Sequence, residues 1–101
     1  MTGTMLLRTH RIPDGTEVVA VCDRALINTT QSFGEISVKV DESFYGTTPA
    51  DAADVREALR IAENVNLIGE QAVGIAVEMG LVERSACLMI GDVPHAQIYR
   101  L

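Results

Sequence analysis

The chain has 101 residues, enough for one domain that buries roughly 65% of its unfolded surface around a single core. Val, Ile, Leu and Ala carry most of a 48% apolar fraction, which excludes a disordered chain. With 14 acidic against 8 basic residues the net charge is −6, which excludes a nucleic-acid binder that works by broad phosphate neutralisation.

The start of the chain predicts no leader and no membrane span. It lacks a basic segment followed by a long apolar one, and no run reaches about eighteen apolar residues. The cytoplasm is therefore the expected location, and Cys22 and Cys87 are expected as separate reduced thiols. Residues 1–4 read as a short disordered tail, and 5–101 as a single α+β domain.

Met5 to Arg11 and Thr16 to Cys22 read as two strands joined by Ile12-Pro13-Asp14-Gly15. Proline presets one central position of that turn and glycine accepts the positive φ that closes it. Val18 to Val21 is apolar on both faces, so the second strand should be covered on both sides. Asp23 to Asn28 reads as one helical turn and Thr29 to Gly34 as loop. Glu35 to Val40 alternates strictly and predicts a third strand, followed by Phe44-Tyr45-Gly46 in a connection.

Thr48 followed by Pro49 and Asp51 predicts a capped helix start, with Ala52, Val55, Leu59 and Ala62 on its inner face. A second helix is expected from about Asn66, with Ile68, Ala72, Ile75, Ala76 and Met79 inward and Gly80 as its stop. Gly69 and Gly74 inside it each cost about 1 kcal/mol relative to Ala, for which close helix packing is the expected compensation. Cys87 to Ile90 and Ala96 to Leu101 complete the chain as strands on either side of a Gly91 turn. The order is β-β-β-α-α-β-β. It predicts a mainly antiparallel sheet with both helices on one face. The terminal strand, Ala96 to Leu101, is the expected sheet edge, through which the chain could form a homo-oligomer.

Chemistry-bearing residues are few. Gly91-Asp92-Val93-Pro94-His95-Ala96-Gln97 places a histidine and a glutamine just past a corner where folding alone does not require them. Asn66 to Glu70 opens a predicted helix, and helix starts attract anions, but the lysine and multiple glycines of a phosphate loop are missing. Phe44 and Tyr45 suit either a stacking platform or an anchor of the loop on the core. Cys22, Cys87, Asp23, His10 and His95 have no metal-ligand spacing, so neither metal nor cofactor is expected. Asp23 also serves as a turn cap, and Glu70 suits the first turn of a helix. Arg8, Arg11, Arg84 and Arg100 would make a local basic patch if the termini met in one sheet.

Met5-Leu6-Leu7-Arg8, Val21-Cys22-Asp23, Phe44-Tyr45-Gly46, Asn66-Leu67-Ile68-Gly69-Glu70 and Gly91 to Gln97 together resemble an archaeal family known as domain-of-unknown-function family 424. The resemblance covers nearly the whole chain. It implies an archaeal, intracellular protein whose relatives look like companions of translation or ribosome-assembly genes.

Two functions are weighed. The first is a non-catalytic binding or adaptor module for a protein or ribonucleoprotein partner, with His95, Gln97, Pro94, Asn66, Glu70, Asp23 and Tyr45 as candidate binding residues. The second is a small enzyme in which His95 acts with Asp23, Glu70 or Cys22. That reading needs these side chains within hydrogen-bond reach of one another or of a shared substrate.

Overall fold

Proline and glycine set the first corner. In the computed structural model, which describes residues 4–100, Gly15 takes φ +93°, its N–H donates to the Ile12 carbonyl (2.9 Å), and Asp14 Oδ1 accepts from Thr16 N–H (2.8 Å). The corner joins β1 (Met5–Arg11) to β2 (Glu17–Asp23) as an antiparallel hairpin. Of the expected tail, Met1 to Gly3 lie outside the described residues. Thr4 is tied to the fold, its carbonyl accepting from Arg24 N–H at 2.8 Å.

The remaining elements are β3 (Thr30–Phe33), β4 (Ile36–Lys39), the helical turn α1 (Glu42–Tyr45), β5 (Pro49–Ala50), α2 (Ala52–Ile61), β6 (Asn64–Ile68), α3 (Glu70–Glu78), β7 (Leu88–Ile90) and β8 (Val93–Tyr99). Short 3₁₀ turns lie at Arg24–Leu26 and Arg84–Ala86. The main sheet runs β5-β1-β2-β6-β8-β7, and β3 and β4 form a separate two-stranded sheet. All pairings are antiparallel except β2 with β6 at the centre. The α+β class, the mainly antiparallel sheet and the two helices on one face are as expected.

Alternation decides the two faces. Met5, Val19, Val21, Val65, Leu67, Ala96 and Ile98 point toward Val55 and Leu59 of α2 and Val73 and Ala76 of α3, forming the larger core. On the opposite face Leu6, Ala20, Cys22 and Ile68 meet Val40 and Tyr45, so α1 and the β3–β4 hairpin cover only one end of it. Burial on both sides is why β2 reads as a continuous apolar run.

Three expectations change and a fourth holds in part. Asn64 to Ile68 is a strand rather than a break and a new helix. Val65 and Leu67 face the helices while Asn64 and Asn66 face away, a period of two that merges with the helical period of α3. Thr30 to Phe33 pairs with β4 instead of forming a loop; its polar composition gives no apolar period, and the pair is joined across Ser32 and Ser37. The α2 helix starts three residues later than Thr48 predicts. Asp51 and Asp54 form its reciprocal cap (Asp54 N–H to Asp51 Oδ1, 2.9 Å; Asp51 N–H to Asp54 Oδ2, 3.1 Å). Finally, the expected edge at Ala96 to Leu101 holds in part: β7 pairs only with Val93, Pro94 and His95, so the outer side of Ala96 to Tyr99 meets no strand among the described residues, and Leu101 falls outside them. The stop at Gly80 holds, with φ +74°, Gly80 N–H bonded to the Val77 carbonyl and Leu81 N–H to that of Ala76.

Candidate functional site

Cross-strand register gathers the candidate residues into rows on the face that α2 and α3 leave uncovered. One row runs Arg8, Ala20, Asn66, Gln97; the next runs His10, Val18, Asn64, Tyr99; a third ends with Cys22, Ile68, His95 and Leu88. Tyr45 comes down from α1 onto the first row, its hydroxyl donating to Asn66 Oδ1 at 2.6 Å. Burial pushes the Tyr45 hydroxyl above its ordinary range, so it stays a neutral donor. Phe44 packs edge-on against Tyr45, with ring centroids 4.9 Å apart, and stacks on His10 at 5.0 Å. His10 donates through Nε2 to the Phe44 carbonyl (2.6 Å), and Arg8 donates to the Ser43 carbonyl (3.1 Å). The Phe44-Tyr45 motif thus fixes one border of the face while Gln97 and Tyr99 stay exposed, Tyr99 at 68%.

His95 shares this face and is half-buried, and that burial lowers its imidazole below the ordinary 6.5. Four candidates therefore come together here: Tyr45, Asn66, His95 and Gln97. Arg8, His10 and Tyr99 join them. Strand alternation together with the strand pairing places these three on the same face.

The other three candidates are structural. Asp23, at the end of β2, reaches the start of α3, where its carboxylate accepts from Gln71 N–H (3.1 Å) and Ala72 N–H (2.9 Å). It is a helix cap supplied from a neighbouring strand, satisfying two N–H groups that the helix cannot. Gly69 makes this approach possible. A Cβ there would lie 2.3 Å from Asp23 Cγ, and its φ of +113° with ψ of 154° suits glycine alone. Burial pushes the Asp23 carboxyl up from its ordinary value, against the pull of those two N–H bonds. Glu70 is exposed and pairs with Arg84 at 3.0 Å. Pro94 is fully buried, and its carbonyl accepts from Gly69 N–H at 3.0 Å. Its missing N–H breaks no ladder, because the Gly69 carbonyl it would face is already taken by Val73 N–H.

The catalytic grouping does not assemble. Asp23 and Glu70 lie on the helix side of the sheet, opposite His95. Cys22 shares the His95 face, but β6 intervenes, so their backbones are about 10 Å apart at ordinary strand spacing. Burial, with Asp23 adjacent, also pushes the Cys22 thiol up to about 12, which leaves it protonated. No group of metal-ligating side chains occurs among the described residues. The four arginines do not converge: Arg11 pairs with Glu17, Arg84 with Glu70, and Arg100 donates to the Leu59 and Arg60 carbonyls at the end of α2.

Residues 10–101 match the family model described as "Protein of unknown function (DUF424)". The chain belongs to this family. A solved structure, "Crystal structure of an uncharacterized conserved protein from Methanopyrus kandleri", is similar to it at 30% identity and a TM-score of 0.78. The alignment covers 96% of this chain and 91% of that one. No curated protein matches. Within this chain, Gly69-Glu70 and Val21-Cys22-Asp23 meet in the strand-to-helix cap, whereas Tyr45, Asn66 and His95 to Gln97 border the uncovered face. No helix among the described residues is long and apolar enough to cross a membrane.

Proposed function

We propose that the protein is a non-catalytic binding module that receives a protein partner on the uncovered sheet face. The observation that carries this reading is the composition of the face. Its strand residues, Arg8, His10, Asn64, Asn66, His95, Gln97 and Tyr99, offer amide, imidazole, phenol and guanidinium groups without a carboxylate. On the elements that pack against that face, Glu35 stands at the β3–β4 turn and Asp41 and Glu42 at the start of α1, with Asp92 in the turn between β7 and β8. A rim of acids repels phosphate and accepts the lysine and arginine side chains of a protein surface. Asp23 and Glu70 are engaged on the helix side and Cys22 is held two strands from His95, which favours the binding reading over the enzyme built on His95. Within the alternatives raised by the family resemblance, a protein component of the translation apparatus is the first partner class to test.

Gln97 and Tyr99 are exposed on a strand paired with β6 along its length, so Gln97→Ala with Tyr99→Ala should leave the fold intact. Affinity capture from an archaeal lysate, with protein and RNA both identified, should enrich a specific protein with the native chain. The double variant should lose it, and reconstitution with that purified protein should reproduce the difference. Enrichment unaffected by the double variant overturns the reading, as does enrichment of RNA that survives removal of its proteins.

A further inference from the structure

The outer edge of β1 is open beyond its first residues. β5 is only two residues long and pairs with Met5 and Leu6. Leu7 N–H then donates to the Thr48 carbonyl at 3.1 Å, after which the chain leaves for α1. In an antiparallel ladder, alternate residues turn both backbone groups the same way. Leu7 points outward, so Thr9 and Arg11 also point outward, and among the described residues no strand lies there to meet them. Neither a proline nor a bulge interrupts Met5 to Arg11, whose register with β2 is unbroken.

Directly beside this edge, on the helix side, lie two adjoining clefts of about 460 and 330 Å³. Ala58 and Ile61 of α2 line both. Leu7, Pro49 and Ala50 complete the apolar wall of the first, and Thr9 and Val19 belong to the second. Ile61 is 71% exposed although it sits on the last turn of an amphipathic helix that buries Val55 and Leu59. Around this apolar floor stand Asp54, Glu57, Glu17 and Glu63; of the nearby cations, Arg60 and Arg11 pair with Glu57 and Glu17, and Arg100 donates to the Leu59 and Arg60 carbonyls.

We infer that this edge and groove take an extended peptide segment of a partner by strand addition, a segment with apolar side chains at alternate positions and lysine or arginine beside them. The backbone of the segment supplies acceptors and donors for Thr9 and Arg11, which fixes its register. Alternate side chains then fall on the helix side, over Leu7, Ala58 and Ile61, and the flanking cations meet the acidic rim. The site lies at a different edge and on the opposite face from Gln97 and Tyr99, so it stands or falls apart from the binding surface proposed above.

The probe is a capped peptide of alternating Val and Lys, with an alternating Val and Glu peptide as its counterpart. Backbone amide exchange and titration by NMR are read on the full chain. The Val-Lys peptide should slow exchange at Thr9 and Arg11 about tenfold or more, and bind at least about tenfold more tightly than its acidic counterpart. Thr9→Pro removes the central edge donor, and Ile61→Lys places a cation in the groove. Each should weaken binding about fivefold or more while the dispersed spectrum of the folded chain persists. Ile61→Lys, at an exposed position, keeps the test decisive if Thr9→Pro perturbs the strand. Failure of the Val-Lys peptide to bind overturns the inference, as does binding indifferent to Ile61→Lys. Concentration-dependent protection of Thr9 without peptide, accompanied by a dimer in sedimentation, also overturns it by assigning the edge to a second copy of the chain.

Discussion

Gly69→Ala should be among the most damaging single-methyl additions in this fold. Two costs add. The backbone at φ +113°, ψ 154° lies in a region open essentially to glycine, which costs about 1–3 kcal/mol for any other residue. The new Cβ would also stand 2.3 Å from Asp23 Cγ, so the carboxylate must leave Gln71 and Ala72. Losing a helix cap costs about 0.5–2 kcal/mol. The total of about 1.5–5 kcal/mol is a large part of the stability of a small domain, and each kcal/mol lowers Tm by roughly 4–8 °C at this chain length. A double-mutant cycle with Asp23→Ala, followed by urea unfolding, separates the terms. With the carboxylate gone only the backbone strain remains, so Gly69→Ala should cost about 0.5–2 kcal/mol less in that background. An equal cost in both backgrounds would refute the idea that Gly69 exists to admit Asp23.

Gly74 gives the opposite expectation: a Cβ there meets nothing within 4 Å, so the close packing expected from sequence is missing and Gly74→Ala should add up to about 1 kcal/mol by thermal unfolding. Tyr45→Phe removes the 2.6 Å bond to Asn66 and should cost about 1 kcal/mol in the same assay, with the side-chain amide of Asn66 shifting in the NMR spectrum. For His95 the folded-state value is depressed, so its contribution is present above 6.5 and is lost as pH falls through the lowered value. Tm should therefore fall as pH drops below the ordinary 6.5, and His95→Gln should flatten that slope. The exposed capping carboxylates Asp41 and Asp51, also depressed, act in a separate and more acidic window below the ordinary 3.8.

Much of the architecture was legible because local chemistry and tertiary position agree. The Pro13-Asp14-Gly15 corner, the alternation of Ile36, Val38 and Val40, and the Gly80 stop each carry their cause within a few residues. What was lost needed distant partners. Asn64 to Ile68 has two apolar residues inward and two amides outward, which is a strand only once β2 and β8 flank it. The candidate site divides in the same way. Tyr45, Asn66, His95 and Gln97 were singled out by residue type and meet through sheet register. Asp23, Glu70 and Pro94 were singled out with them and serve the strand-to-helix junction instead. Only the position of α3 separates a carboxylate that caps from one that binds.

The cap on α3 also bears on how the chain folds. Its acceptor comes from β2 and its donors from the helix that follows β6, so it closes only after the central parallel pair has zipped with Cys22 opposite Ile68. A slip of one position would turn Asp23 toward the apolar cluster around Tyr45 and Val40, where nothing repays the burial of a charge. The carboxylate thus acts as a key for the alignment of the two middle strands: only one setting of the ladder lets it turn.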